Sequence, residues 1–162
     1  MLIQQQSLKD IFNDYIDSSK INITPVTRIY LLNLLEKPKL HTSSKEKELS
    51  FIELLLNETT NIFERLSNLK TTGDNCLLYS GLYPEYISKR TGNIEYYFSI
   101  GQSAYSELYY NYRELKNRTK SYLYEELYKN FDNLIGVLDY VKRKLISNRK
   151  IKIYSKFNIT GV

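Results

Sequence analysis

Apolar residues recur along most of this chain at steps of three and four, which is the period of an amphipathic helix. The longest stripe lies near the C-terminus and consists of Leu123, Leu127, Phe131, Leu134, Leu138, Val141 and Leu145. A second stripe runs from Tyr97 to Leu115 and contains two small residues, Gly101 and Ala104. Because the distance between packed helices depends on the side chains at the contact, we expect a neighbouring helix to come close at these two residues.

Further helices are predicted before residue 72, with starts at Ser7, at Pro25, at Ser43 or Ser44, and near Thr59. Serine and threonine are favoured N-caps, and proline is favoured at the first helical position. The helix from Pro25 to about Lys37 is apolar over most of its circumference, so we expect it to be central. Together the stripes predict an all-α, single-domain bundle of six or seven helices.

Residues 73–85 are of types that favour turns and helix ends. Gly73 is expected to close the helix before it in the left-handed conformation, and Asp74 to cap the next one. A short helical turn then ends at Gly81, and Pro84–Lys89 form another short helix. The composition therefore predicts several short helices separated by breaks in this segment.

Positive charge is concentrated at the C-terminal end of the chain, whose formal net charge is +5. After Asp139 there are no acidic residues and seven basic ones: Lys142, Arg143, Lys144, Arg149, Lys150, Lys152 and Lys156. Residues 151–160 alternate between apolar and polar, which predicts a strand. We therefore divide the chain into a helical domain (1–147) and a basic tail (148–162), which either contacts nucleic acid or complements the dipole of the last helix.

Several classes of protein are disfavoured by composition. One cysteine, Cys76, and one histidine, His41, cannot form an internal disulfide or a Cys/His metal cage, so no metal site and no cofactor is predicted. No apolar run approaches the ~20 residues of a membrane span. The N-terminus lacks the pattern of a secretory signal, so we expect a cytoplasmic protein.

One pattern in the chain resembles a known group of proteins. It reads Gly73-Asp74-x-x-Leu77-x-x-Ser80-Gly81-x-x-Pro84-Glu85 and then Tyr96-Tyr97-x-x-x-Gly101-x-x-Ala104-Tyr105. This is similar to a group of small, all-helical bacterial proteins of unassigned function. The resemblance implies a bacterial helical protein and no particular activity. It implies five candidate binding residues: Asp74, Ser80, Glu85, Tyr97 and Tyr105.

Three functions are compatible with these features. The first is a non-enzymatic interaction or regulatory protein, whose stripe from Leu123 to Leu145 pairs with a protein partner or a second copy. The second is a nucleic-acid-binding protein that uses the basic tail and the nine tyrosines between Tyr96 and Tyr128. The cations interleaved with those tyrosines are Arg113, Lys116, Arg118, Lys120 and Lys129. The third is a small enzyme, which would need the carboxylates of Asp74 and Glu85 in one cleft; no catalytic residue is assigned.

Overall fold

The part of the chain that the structure describes folds into seven helices and contains no strand. The structure is a computed structural model that describes residues 6–36, 61–91 and 93–160. The helices are α1 (Leu8–Ser18), α2 (Pro25–Glu36), α3 (Ile62–Leu82), α4 (Pro84–Thr91), α5 (Ile94–Glu114), α6 (Arg118–Lys129) and α7 (Phe131–Thr160). The predicted all-α class is confirmed. The helix predicted to start at Ser43 or Ser44, and His41, lie outside the described residues.

Several helix starts follow from local sequence. The Oγ of Ser7 accepts a hydrogen bond from the backbone N–H of Asp10 at 3.2 Å, and α2 begins at Pro25 as predicted. Asparagines cap three other helices, because the Oδ1 atoms of Asn61, Asn93 and Asn117 accept from backbone N–H groups in the first turn. Such bonds satisfy donors that a helix leaves unpaired at its start.

The centre of the bundle is α3, and residues 72–81 are buried without interruption. The prediction of a helix end at Gly73, a cap at Asp74 and a break at Gly81 is wrong, because all three lie inside one continuous helix. The two glycines serve packing instead. A Cβ added to Gly81 would lie 2.5 Å from the Cβ of Leu138, and one added to Gly73 would lie 2.5 Å from the Tyr105 ring. Small residues let α5 and α7 close around α3.

The predicted close approach at Gly101 and Ala104 is confirmed. Both residues are buried where α5 packs against α3, which is the most extensive contact between helices. A Cβ added to Gly101 would lie 2.6 Å from the Cβ of Cys76 and 2.6 Å from the Phe131 ring.

The expectation that α2 is central is wrong. Val26 and Ile29 are 50% and 59% exposed, and only one side of the helix is buried, mainly through Leu31, Leu32 and Leu35. Its start is fixed by a polar contact with α6. The buried carboxylate of Glu126 accepts from the backbone N–H and the Oγ1 of Thr24, both at 2.8 Å.

The C-terminal apolar stripe belongs to two helices. Asn130 ends α6, and α7 begins at the next residue. From Leu123 to Val141 the stripe is buried inside the bundle, and Leu134 and Leu138 are each 1% exposed. The prediction that this seam pairs with a second chain therefore loses its basis, because the same side chains already fill the core of one chain.

The predicted C-terminal strand is not supported, since the backbone of α7 is helical up to Thr160. The helix crosses residues 147 and 148 without a break, and the division into domain and tail at this point stays a prediction. Among the described residues, none of the helices combines the length and the apolar character that crossing a bilayer requires.

Candidate functional site

Two of the five predicted site residues, Asp74 and Tyr105, meet in the core. The Oδ1 of Asp74 accepts hydrogen bonds from the hydroxyl groups of Tyr105, at 2.7 Å, and of Tyr30, at 2.5 Å. Its Oδ2 accepts from the ammonium group of Lys70 at 2.8 Å. Asp74 is buried, whereas the side chain of Lys70 is half exposed. One carboxylate thus joins α2, α3 and α5.

The tyrosines of this network are held in their neutral form. Burial, followed by the charge of Asp74, raises the pKa of both Tyr30 and Tyr105 well above the ordinary value. Burial also raises the pKa of Tyr124, whose ring lies 6.1 Å from that of Tyr30 and 5.9 Å from that of Tyr105. Protonated hydroxyl groups can donate to Asp74, which is consistent with the two hydrogen bonds that its Oδ1 accepts. We call Asp74, Lys70, Tyr30 and Tyr105 the Asp74 network.

The other three predicted site residues do not join this network. Ser80 is buried on α3, and its Oγ has no hydrogen-bond partner among the described residues. Glu85 is exposed in the first turn of α4. Tyr97 packs against the small apolar cluster of Tyr79 and Ile87. The predicted carboxylate pair therefore does not form. Asp74 is buried and accepts hydrogen bonds at both oxygens, whereas Glu85 is exposed on another helix.

Cys76 is expected to be chemically inert in the native protein. It is 1% exposed, and burial raises the pKa of its thiol to about 12, so almost no reactive thiolate forms near pH 8. We expect the native protein not to react with a thiol-specific disulfide reagent at pH 8. After denaturation, the reagent should release one equivalent of its thiol for each protein chain. Rapid stoichiometric labelling of the native protein would contradict the described burial.

The basic residues of the C-terminal region have different surroundings. Lys142 donates to the backbone carbonyl of Leu82 at the end of α3 and lies 5.4 Å from the ring centre of Tyr83. Arg143 forms an ion pair with Asp139 at 2.6 Å. Lys144 and Arg149 are exposed. The side chains of Lys150, Lys152 and Lys156 lie outside the part described. Lys142 thus stabilises a helix end, as cations near the C-terminus of a helix do.

A different part of the molecule brings several cations together, at the turn between α5 and α6. Only residues 115–117 separate the two helices. Lys116 adopts a φ of 58°, the left-handed conformation in which helices often end. The N–H of Asn117 then donates to the carbonyl of Tyr112 at 2.9 Å, and the N–H of Lys116 to the carbonyl of Arg113 at 3.1 Å. This tight reversal places the end of α5 beside the start of α6.

A cavity of about 680 Å³ opens to solvent at this turn. We call it the α5–α6 cavity, and it is lined by Tyr109, Arg113, Lys116, Arg118, Ser121, Tyr122 and Glu125. Tyr109 and Arg113 share one face of α5, and Arg118, Tyr122 and Glu125 share one face of α6, because residues three and four apart are neighbours on a helix. The volume lies within the usual range for small-molecule sites.

The charges of the α5–α6 cavity are unbalanced. In the part of the chain that the structure describes, Arg113, Lys116 and Arg118 form no ion pair with a carboxylate, whereas five other cations do. The carboxylate in the lining, Glu125, is bonded to Lys129 at 2.7 Å. The hydrogen bond from Lys129 lowers the pKa of Glu125, so Glu125 is ionised near neutral pH. The charge of Arg113 also contributes to lowering the pKa of Glu125, so three cations share the cavity with one carboxylate. This excess of positive charge favours an anion in the cavity.

Among the described residues, no group of histidine, cysteine and acidic side chains could hold a metal ion. Comparison with known proteins adds no assignment: no family model matches the chain, and no curated protein or solved structure is significantly similar to it.

The cations of the α5–α6 cavity are visible in the sequence, but their arrangement in space is not. Arg113, Lys116 and Arg118 stand out in the sequence as cations among tyrosines. The turn that brings them together depends on the left-handed backbone conformation of Lys116. It contains neither glycine nor proline, the residues that usually indicate a turn. Asn117, which follows that turn and caps α6, is the local signal that could have located it.

Proposed function

We propose that this protein is a non-enzymatic binding protein that takes up a phosphate-bearing ligand in the α5–α6 cavity. The observation that carries the proposal is the excess of positive charge around one open cavity, where three cations share the lining with one carboxylate, Glu125. Arginine and lysine are the side chains that bind phosphate best, arginine through a planar pair of donors and lysine as a compact charge.

The cavity favours binding over catalysis. Its lining contains neither histidine nor cysteine, and its carboxylate is held by Lys129. The two regions expected from sequence to be the working surface are less suited to this role. The apolar stripe from Leu123 to Val141 fills the core, and the Asp74 network is closed by its own bonds.

A second candidate function is nucleic-acid binding through the basic C-terminal region. The exposed cations Lys144 and Arg149 favour it. Lys142 and Arg143 weaken it, because both already have partners within the chain. The two candidates use different cations and can therefore be separated by substitution.

The test is calorimetric titration of the full chain with inorganic pyrophosphate. Arg118→Gln and Lys116→Asn each remove one cavity cation, and asparagine tolerates the left-handed conformation at residue 116. We expect each to weaken binding about 5- to 50-fold, the range for losing one charged hydrogen bond at a partly exposed site.

Lys144→Gln, which removes an exposed cation of α7, is the matched control and is expected to leave the pyrophosphate affinity unchanged. Absence of measurable binding by the unmodified chain at low salt would reject the proposal. An equal loss in all three variants would also reject it, because the attraction would then be a property of net charge and not of the cavity.

A further inference from the structure

We infer that the ligand of the α5–α6 cavity is single-stranded nucleic acid, with one base stacked on Tyr122 and the neighbouring phosphates held by Arg113, Lys116 and Arg118. This rests on the proposed function, since the same cations hold the phosphates. It adds an aromatic platform, which a phosphate ion alone does not need.

The observation behind the inference is the surroundings of Tyr122. Its side chain is 55% exposed although it lines the cavity. The rings of other tyrosines in this region contact aromatic rings of the protein itself. Tyr109 lies 5.8 Å from Tyr128, and Tyr112 stacks on Tyr124 at 5.6 Å with an angle of 7° between the rings. Within the part of the chain that the structure describes, Tyr122 has no ring contact of this kind.

Tyr122 lines the same cavity as the three cations. Tyr122 follows Arg118 by four residues, so the two side chains are neighbours on the same face of α6. Arg113, in the last turn of α5, and Lys116, in the turn between the helices, line the same cavity. An exposed aromatic ring beside a cationic groove is the combination by which proteins bind unpaired nucleic-acid strands without sequence preference.

The lining also favours a single strand over other phosphate-bearing ligands. A base can stack on Tyr122 only when its own face is free, which excludes the interior of a duplex. The lining holds no aliphatic side chain, and such side chains would be needed to take up lipid chains. An unpaired strand uses both the cations and the ring.

The experiment measures fluorescence anisotropy of a labelled oligodeoxythymidylate of about 15 nucleotides, within the site sizes of single-strand binders. Tyr122→Leu removes the ring and is expected to weaken binding about 5- to 100-fold, the usual range for losing one base–aromatic stack. Tyr122→Phe keeps the ring and is expected to stay within about threefold of the unmodified chain, because stacking does not use the hydroxyl group. Tyr96→Leu, at the exposed start of α5, is the control and is expected to have no effect.

The salt dependence gives an independent readout. Three phosphate contacts predict a slope of about −2 for log Kobs against log salt concentration on a single strand, and Arg118→Gln should reduce its magnitude by about 0.7. Tyr122→Leu should leave the slope unchanged, since a stacking contact releases no counterion.

Comparison ligands separate the outcomes. If inorganic polyphosphate binds as tightly as the oligonucleotide and Tyr122→Leu has no effect, the inference is wrong and the phosphate-binding proposal stands. Equal affinity for thymidine monophosphate, or tighter binding of a phosphoserine peptide, would also overturn the strand as the ligand. If neither pyrophosphate nor the oligonucleotide binds, both proposals fail together.

Discussion

Replacing Asp74 with alanine is expected to lower the free energy of unfolding by about 2–4 kcal/mol. The substitution leaves the hydroxyl of Tyr105 without its acceptor in the core. It also removes one of the partners of Tyr30 and the ion-pair partner of Lys70. An unsatisfied buried donor costs about 1–3 kcal/mol, and the half-exposed Lys70 adds little because water can solvate it. Urea denaturation with a constant m-value would measure the change.

A matched control is available on α7. Asp139 also forms an ion pair with a basic residue four positions later, Arg143, but at the surface of the bundle. Asp139→Ala is expected to cost less than about 0.5 kcal/mol, the usual value of an exposed helical pair. If Asp74→Ala were no more destabilising than Asp139→Ala, the Asp74 network would contribute nothing through burial.

A combined variant tests the physical reason for this loss. Asp74→Leu together with Tyr30→Phe and Tyr105→Phe removes the acceptor and both hydroxyl groups that donate to it. Of the buried hydroxyl groups around Asp74, that of Tyr124 remains, and it loses its contact with the hydroxyl of Tyr30. Replacing all partners by apolar groups of similar shape can be nearly neutral. We therefore expect the triple variant to be more stable than Asp74→Leu alone.

The periodic part of the sequence was sufficient to predict the fold class, because apolar stripes at helical spacing report on burial directly. The same stripes could not locate the junction at Asn130, since the spacing between Leu127 and Phe131 continues the helical period across it. Helix class was therefore predictable, whereas this division into α6 and α7 was not.

Residues 73–81 could not be interpreted from local sequence because glycine, aspartate and serine have two physical uses. They end helices when the backbone turns, and they allow close packing when the helix continues. The choice between these depends on distant partners. Tyr30 and Tyr105, which bond Asp74, lie 44 and 31 residues away in the chain. The local sequence therefore predicted helix ends and caps where the structure has one continuous buried helix.

Adding one methyl group at Gly101 is expected to destabilise the protein by about 1–3 kcal/mol, the usual cost of overpacking a core. The new Cβ would lie 2.6 Å from the Cβ of Cys76, an atom attached directly to the backbone of α3. A flexible side chain could move away, but here α3 and α5 themselves must separate. This cost is expected to exceed the gain of about 1 kcal/mol that alanine brings to a helix interior.

Gly136 provides the opposite case on α7. A Cβ added there meets no atom within 4 Å, so Gly136→Ala keeps the propensity gain and is expected to stabilise the protein by about 0.5–1 kcal/mol. Thermal unfolding of the two variants should therefore shift in opposite directions relative to the unmodified chain. If Gly101→Ala were stabilised as much as Gly136→Ala, α3 and α5 would not approach as closely as described, and the small residues of both helices would need another explanation.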